Sequence, residues 1–350
     1  MITAWDDYLD PPNKTAAYRE CVRRCRSTFE RQRECIGHLL EARRPAVVAC
    51  LGSGALNDIP YGRLIEANAV VHLVDWLPGI VEFGVAHSII RATPQGLFQC
   101  AYCRHTPTNA PDYCLSYREP SKPALAAHEV CEAFMPHPHE PGTCLAFRKG
   151  RLPHVHRQDV TGGYASAFGA ALAEELRGVA SWRQAFKRAT ALAQRLRGQR
   201  SALRIPDHSV DLIISSMVLS QFEHEPYDYF ATQVAALLGE PSAHEKTHLR
   251  PIMETLRSTL LFNQIEGHCA EIERMLAPNG RCFLAFELFH RAADDRHWHM
   301  ASEMLGALQQ IARHFEFDFD GIPEPVVDTR FEALSGRSAV YHFLLAPTQG

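Results

Sequence analysis

The stretch that decides the fold is residues 46–75, AVVACLGSGALNDIPYGRLIEANAVVHLVD. Its first apolar run, 47–51, has the composition of a parallel strand that is buried on both faces. A glycine turn, 52–54, follows at once, and after a short helical pattern a second apolar run, 69–74, ends on Asp75. The pattern predicts a strand, a glycine turn, a helix and a second strand that closes on an acid.

The glycines and the acid of this stretch predict a nucleotide-type site. Gly52 and Gly54 allow the backbone to turn sharply and allow a ligand to approach the main chain. A carboxylate at the tip of the second strand can accept hydrogen bonds from both hydroxyl groups of a ribose. Asp75 follows Gly52 at close to the usual offset of about 20 residues.

Length and composition set the broad class. With 350 residues the chain can bury a large core, as one α/β domain with additions or as two domains. The formal net charge of −4, without an obvious basic stripe, predicts neither a nucleic-acid nor a membrane partner. No apolar run approaches the roughly 18 residues of a transmembrane helix, and the N-terminus is too polar for a signal peptide. With 11 cysteines, these features predict a reducing, cytoplasmic location.

The rest of the chain alternates between strand and helix patterns. Apolar strand patterns separated by helical ones predict βα units and a mostly parallel sheet. Two late strand candidates are predicted to close the sheet as an antiparallel pair. The strand candidates are 154–160, 210–216, 281–289, 315–319 and 339–345, and the helical patterns are 13–44, 164–200, 227–276 and 297–313.

This succession resembles the class I S-adenosylmethionine-dependent methyltransferases, and LAPNG at 276–280 looks like that family's turn before strand five. The resemblance implies an α/β, Rossmann-like class I methyltransferase fold, with a mostly parallel seven-stranded sheet and helices on both faces. It implies an N-terminal helical extension at 1–45, a methyltransferase-like domain at 46–350 and an insertion at 96–153. It further implies S-adenosyl-L-methionine as cofactor and a small-molecule methyl acceptor, and it leaves the oligomeric state open.

The resemblance also implies a set of cofactor contacts. In the family the glycine turn approaches the methionine part, Asp75 corresponds to the ribose ligand, and Asp159 lies near the adenine amino group. This chain has Cys50 where the family often has an early acid, and Leu56 where it often has a third glycine, with Asp58 nearby. The implied cofactor-binding residues are Gly52, Ser53, Gly54, Asp58, Asp75, Trp76, Asp159, Val160, Ser215, Ser216 and Met217.

A general base is needed only where the acceptor must lose a proton. The candidates near the predicted pocket mouth are Glu223, His224, Glu287 and His290. A histidine that titrates near neutrality suits this role. The alternative for each is a solvated or hydrogen-bonded side chain without a catalytic part.

The insertion at 96–153 loses apolar periodicity and is rich in cysteine and histidine. Cys100 and Cys103 form a C-x2-C pair, which can hold a tetrahedral zinc ion from a tight turn. Unmetallated thiols, an iron–sulfur cluster and a catalytic metal stay open as alternatives. The predicted ligands are Cys100, Cys103, Cys114 and Cys131, with His128, Cys144 and the histidines of 135–139 as alternatives for the fourth.

Two other classes of function stay open. A catalytically inactive binding or regulatory protein of the same fold fits the missing third glycine and the missing early acid. A nicotinamide-dependent Rossmann oxidoreductase requires the pattern G-x-G-x-x-G, whereas residues 52–57 read GSGALN.

Overall fold

Helices and strands alternate along most of the chain. The computed structural model describes residues 3–9, 27–67, 69–77, 80–81, 84–85, 90–92, 98–100, 153–222, 224–292, 297–300, 302–318, 321–322, 324–331 and 336–348. The helices are α1 (Trp5–Leu9), α2 (Glu30–Arg43), α3 (Tyr61–Glu66), α4 (Tyr164–Glu175), α5 (Trp182–Arg195), α6 (His224–Leu238), α7 (Ala243–Met275) and α8 (Ser302–Ile311).

Eleven strands complete the described part of the chain. They are β1 (Val47–Leu51), β2 (Val70–Asp75), β3 (Ile90–Ala92), β4 (Phe98–Cys100), β5 (His154–Arg157), β6 (Val210–Ser216), β7 (Leu276–Ala292), β8 (His299–Met300), β9 (Phe315–Phe317), β10 (Val326–Phe331) and β11 (Gly336–Pro347).

A mixed sheet forms the centre of the molecule. Its strand order is β10-β11-β7-β6-β1-β2-β5, with β8 paired to β7 and β9 paired to β11. From β5 to β7 neighbouring strands are parallel, whereas β11 is antiparallel to β7, β9 and β10. Counted in chain order, the seven strands of this path run 3-2-1-4-5-7-6. This Rossmann-like arrangement confirms the predicted fold class, although within the described residues the sheet has nine strands rather than seven.

The apolar run that opened the sequence argument is buried because helices cover both faces of β1. Val48 and Cys50 pack on the face that α2 and α3 cover, together with Ile36 and Leu64. Ala49 and Leu51 pack on the opposite face, in the cluster to which α7 and α8 contribute. A strand covered on both faces reads as a continuous apolar run, which is the pattern that the sequence shows.

The strand order reverses at β1. The chain passes from β1 outward to β2 and β5, and then returns to the other side of β1 as β6. Loops that leave neighbouring strands in opposite directions separate at such a point and leave a crevice at the carboxyl ends. The sheet therefore positions a binding cleft beyond the ends of β1, β2, β5 and β6.

The late strands differ in part from the prediction. β9 and β11 pair antiparallel, as predicted, but the sequence analysis missed β10, which pairs with β11 at the sheet edge. Val326 in β10 is 41% exposed, so this edge strand lacks the apolar run that identifies a central strand.

The insertion is described only where it begins. β3 and β4 form a two-stranded antiparallel sheet, and β4 ends on Cys100. The predicted ligands Cys103, Cys114 and Cys131 lie outside the described residues, and for Cys100 the described part is the backbone. Elsewhere in the described ranges, no three His, Cys, Asp or Glu side chains are grouped to hold a metal ion. No helix within those ranges combines the length and the apolar character that a membrane span requires.

Candidate functional site

A cleft lies at the carboxyl edge of the sheet, where the strand order reverses. It is bounded by the glycine turn after β1, the end of β2, the loop after β5 and the segment after β6. Its lining residues are Gly52, Gly54, Asp75, Trp76, Leu77, Gln158, Asp159, Val160, Thr161, Met217, Val218, Gln221, Phe222, Glu225 and Gln264. The cleft lies where ligands bind in open α/β sheets.

The glycine turn and the acid of β2 are joined directly. The backbone N–H of Gly54 donates to Asp75 Oδ2 at 2.8 Å, and the N–H of Leu77 donates to Asp75 Oδ1 at 2.9 Å. Gly52 and Gly54 both have positive φ, 64° and 47°, which glycine adopts without strain. Each carboxylate oxygen has two lone pairs, so Asp75 can hold the turn and still accept hydrogen bonds from a ligand.

Asp159 orders the opposite wall of the cleft. Its Oδ1 accepts hydrogen bonds from the N–H and the hydroxyl of Thr161, at 2.9 and 2.5 Å. Its Oδ2 accepts from the N–H of Ser166, in the first turn of α4, at 2.8 Å. The carboxylate therefore fixes the loop between β5 and α4, and Val160 lies within that loop.

A buried histidine ties this loop to β6. His268 of α7 contacts the carbonyl oxygen of Val160 through Nδ1 and the hydroxyl of Ser215 through Nε2, both at 2.8 Å. Burial lowers the pKa of His268 to about 4, so the ring is neutral near pH 7. Because a carbonyl oxygen only accepts, Nδ1 carries the proton and Ser215 donates to Nε2. Ser215 thus supports the cleft from behind and does not line it.

Asp58 and Ser216 form a second polar group, which is separate from the cleft lining. Gln32 of α2 donates to Ser216 Oγ at 2.5 Å. Burial raises the pKa of Asp58 to about 6, against a hydrogen bond from Ser216 and the charge of Arg33. Ser53 is likewise buried, and its hydroxyl donates to Val74 O at 3.3 Å. Of the implied cofactor residues, Ser53, Asp58, Ser215 and Ser216 thus lie behind or beside the cleft.

The remaining implied residues come together in the cleft. They are Gly52, Gly54, Asp75, Trp76, Asp159, Val160 and Met217. Met217 follows β6 with φ 57°, an uncommon value for a residue with a side chain, and its N–H donates to Ala285 O at 2.7 Å. Backbone strain of this kind is often found at functional sites.

The predicted general bases do not gather in the cleft. His224 and His290 are exposed, and the His290 ring lies 5.8 Å from the ring of His299. Glu287 is half-buried on β7; burial raises its pKa, against a hydrogen bond from Ser338. Glu223 lies outside the described residues, and none of the other three lines the cleft.

Several lining residues were missed from the sequence. Gln158 and Thr161 flank Asp159, so proximity to a strand end could have identified them. Glu225 lies in the first turn of α6, one residue beyond a predicted base. Gln264 comes from the middle of α7, and no local pattern marks which residue of a long helix faces a cleft. The missed residues are Leu77, Gln158, Thr161, Val218, Phe222, Glu225 and Gln264, whereas Gln221 follows a strand end already expected to line the pocket.

The charge of the cleft is one-sided. Asp75, Asp159 and Glu225 contribute three carboxylates, and its described lining contains no lysine, arginine or histidine. Opposite charges attract more strongly in a partly dehydrated site than in bulk water. The cleft therefore favours a cationic ligand over an anionic one.

Gly52→Ala should weaken ligand binding in the cleft by about tenfold or more, equivalent to about 1.4 kcal/mol. Gly52 has φ +64°, and an added Cβ would lie 2.5 Å from Val218 Cγ2. The measurement is calorimetric titration with S-adenosylhomocysteine. Gly198→Ala is the matched control, because Gly198 has φ +82° with nothing within 4 Å of the added Cβ. Equal affinities of the Gly52 variant and the unmodified protein would contradict this expectation.

Comparisons with known proteins add three similar solved structures; no family model and no curated protein matches the sequence. A TehB-like SAM-dependent methyltransferase from Corynebacterium glutamicum is 12% identical, with 97% of this chain and 100% of that chain covered and a TM-score of 0.34. A 1,6-didemethyltoxoflavin-N1-methyltransferase from Burkholderia thailandensis, with bound 1,6-didemethyltoxoflavin and S-adenosylhomocysteine, is 12% identical at 96% and 91% coverage and a TM-score of 0.34. A SAM-dependent methyltransferase from Methanosarcina mazei is 9% identical at 87% and 93% coverage, also with a TM-score of 0.34. At such TM-scores these similarities carry no argument, and the fold class rests on the strand order.

Proposed function

We propose that this chain binds S-adenosylmethionine in the cleft and transfers its methyl group to a small-molecule acceptor. The observation that carries the proposal is the hydrogen bond between Asp75 and Gly54, at the point where the strand order reverses. It brings a ribose acceptor and an exposed glycine backbone to one place, as a nucleoside ligand requires.

The lining residues divide by the part of the cofactor that they suit. Asp75 would accept from the ribose hydroxyls, Trp76 would pack on the adenine ring, and the loop around Asp159 would face the adenine amino group. The backbone at Gly52 and Gly54 would admit the methionine part. When bound, the cofactor supplies a methyl group on a positively charged sulfonium, which the one-sided charge of the cleft favours.

The acceptor is left to positioning rather than to a strong base. Because none of His224, Glu287 and His290 lines the cleft, an acceptor with a free lone pair suits the site best. Holding such an acceptor in line with the methyl group and excluding water can supply several kcal/mol, on the order of the 7–11 kcal/mol of well-oriented reactions. Phe222 and Val218 offer apolar surface for this purpose.

The nicotinamide alternative fits the cleft poorly. A dinucleotide pyrophosphate needs the N-terminus of a helix directly after the glycine turn. Here α3 begins at Tyr61 and has 6 residues, so no helix opens at Gly54. The pyrophosphate would also face the carboxylates of the cleft. Competition between NAD and S-adenosylhomocysteine in a thermal-shift assay separates the two readings.

The inactive-protein alternative is favoured by one observation, the distance of the predicted bases from the cleft. Two measurements separate it from the enzyme. Calorimetry should show S-adenosylhomocysteine binding, and incubation with methyl-labelled S-adenosylmethionine and a panel of small amines and thiols should give labelled product. Binding without transfer to any acceptor would favour the regulatory protein, and no binding at millimolar ligand would refute both.

We also propose that the insertion at 96–153 binds zinc through Cys100, Cys103, Cys114 and Cys131. The support is the cysteine spacing in the sequence. Elemental analysis of the purified chain should give about one zinc per chain. Cys103→Ser should lose the metal, whereas Cys269→Ala, which removes a thiol buried in the core, should retain it. A metal-free protein that is fully folded would contradict the proposal.

A further inference from the structure

One aromatic ring from the far N-terminus contacts the wall of the cleft. Trp76 lines the cleft directly after Asp75. Trp5 of α1 meets it edge to face, with ring centroids 5.4 Å apart and ring planes at 63°. The Trp5 ring also lies 4.9 Å from the ring of Tyr229 on α6, again edge to face. Such contacts favour a limited set of mutual orientations, so Trp5 restricts a side chain that faces the ligand.

Trp5 is held by packing rather than by hydrogen bonds of its own ring. Its side chain is 5% exposed, and the described residues provide no hydrogen-bond partner for its buried Nε1. Gly169 of α4 lies against the ring, since a Cβ there would come within 2.2 Å of Trp5 Cδ2. The main chain of Thr3 is fixed to α6, because its N–H donates to Gln233 at 2.9 Å and its carbonyl accepts from Tyr229 at 2.7 Å. The ring therefore has one position, set by α4 and α6.

We propose that Trp5 is a positioning residue for the nucleoside end of the cleft, where it holds Trp76 with its face towards the adenine ring. The proposal rests on the proposed function, because that function assigns adenine to this end. Without Trp5, the Trp76 side chain would be free to populate other rotamers, and ordering it on binding would cost affinity. The N-terminal helix is then part of the binding site.

The first test removes the ring edge and keeps apolar bulk. Trp5→Leu should weaken S-adenosylhomocysteine binding by about tenfold, and Trp5→Phe, which retains an aromatic edge, should stay within about threefold of the unmodified protein. Leu9→Ala is the matched control, because Leu9 is buried in the same cluster on the same helix. It should lower the thermal midpoint without ligand and leave the affinity within about twofold.

A double-mutant cycle separates positioning from general packing. If Trp5 acts through Trp76, the double variant Trp5→Leu/Trp76→Leu should bind no more weakly than Trp76→Leu alone. Gly169→Ala should reproduce the loss seen with Trp5→Leu, because the added methyl displaces the Trp5 ring while alanine favours the helix. It also replaces Trp5→Leu if that variant does not fold.

The outcomes distinguish the two proposals. Binding by the unmodified protein that Trp5→Leu and Gly169→Ala both leave unchanged would overturn the role of Trp5 alone. Losses for Trp5→Leu and Trp76→Leu that simply add would do the same, because they would show that the two rings act independently. If the unmodified protein does not bind S-adenosylhomocysteine, the proposed function fails, and the role of Trp5 fails with it.

Discussion

Asp75→Ala is expected to lower the affinity for S-adenosylhomocysteine by about a hundredfold, equivalent to about 2.7 kcal/mol. The substitution removes the proposed acceptor of the ribose hydroxyls. It also leaves the N–H groups of Gly54 and Leu77 without the carboxylate that accepts from them. Both losses act on the same part of the cleft, so the effect should exceed that of a single hydrogen bond, which is about 1 kcal/mol. Calorimetric titration measures it.

A second aspartate of the same sheet provides the matched control. Asp211, near the start of β6, accepts from the N–H groups of Ala46 and Val47 at 2.8 and 2.9 Å. It lies at the amino ends of the strands, away from the cleft, so Asp211→Ala should cost stability and leave the affinity unchanged. Asp75→Asn, which keeps one acceptor oxygen, should fall between Asp75→Ala and the unmodified protein. An affinity of Asp75→Ala within about twofold of the unmodified value would refute the assignment of this carboxylate.

Acidification from pH 7.5 to pH 5 is expected to lower the free energy of unfolding by on the order of 3 kcal/mol. Burial lowers the pKa of His268 and of His342 to about 4. In the unfolded chain a histidine titrates near 6.5. Because the unfolded state binds more protons below that pH, the stability from each neutral ring is complete above pH 6.5 and is lost as the pH falls towards 4. Each ring accounts for on the order of 2 kcal/mol at pH 5.

Asp58 acts in the opposite direction. Burial raises its pKa to about 6, so its protonated form favours the folded state below that pH and offsets on the order of 1 kcal/mol. The pKa of His72 is also lowered to about 4, by burial and by the neighbouring His156 and His154. Its ring is half-exposed, so solvent reduces its contribution.

Urea unfolding at the two pH values measures the difference in stability. His342→Leu removes one buried titrating ring and should flatten the pH dependence by about one proton, or about 1.4 kcal/mol per pH unit between pH 5 and 6. Leu344→Ala, at a residue that is 1% exposed, should destabilise at both pH values by about 2–5 kcal/mol without changing the slope. Equal stability of the unmodified protein at pH 7.5 and 5 would show that these rings are not buried as neutral groups.

The part of the fold that sequence reasoning predicted is the part with strong local patterns. The runs at Val47–Leu51 and Val210–Ser216 are buried on both faces, and such strands are recognisable without any knowledge of their partners. The glycine turn and Asp75 were predicted as one unit because the turn needs positive φ and the acid closes a strand. The edge strand Val326–Phe331 was missed, because an edge strand needs no continuous apolar run.

The candidate site was predicted less completely, and the reason is geometric. Residues that follow strand ends, such as Asp75, Asp159 and Met217, share the carboxyl edge by construction of a parallel sheet. The predicted bases were chosen from the same principle, but His224 begins a helix that turns its next residue, Glu225, to the cleft. The direction of a helical side chain depends on where the helix begins, to within one residue.

The sequence by itself determined the alternation of strand and helix, the glycine turn and the acid at the end of β2, because each depends on a few neighbouring residues. Only the tertiary structure decided that Asp75 grips the glycine turn, that Gln264 and His268 of α7 support the cleft, and that Trp5 touches Trp76. These are contacts between residues far apart in the chain. Their geometry is set by how whole elements pack, so no local pattern carries it.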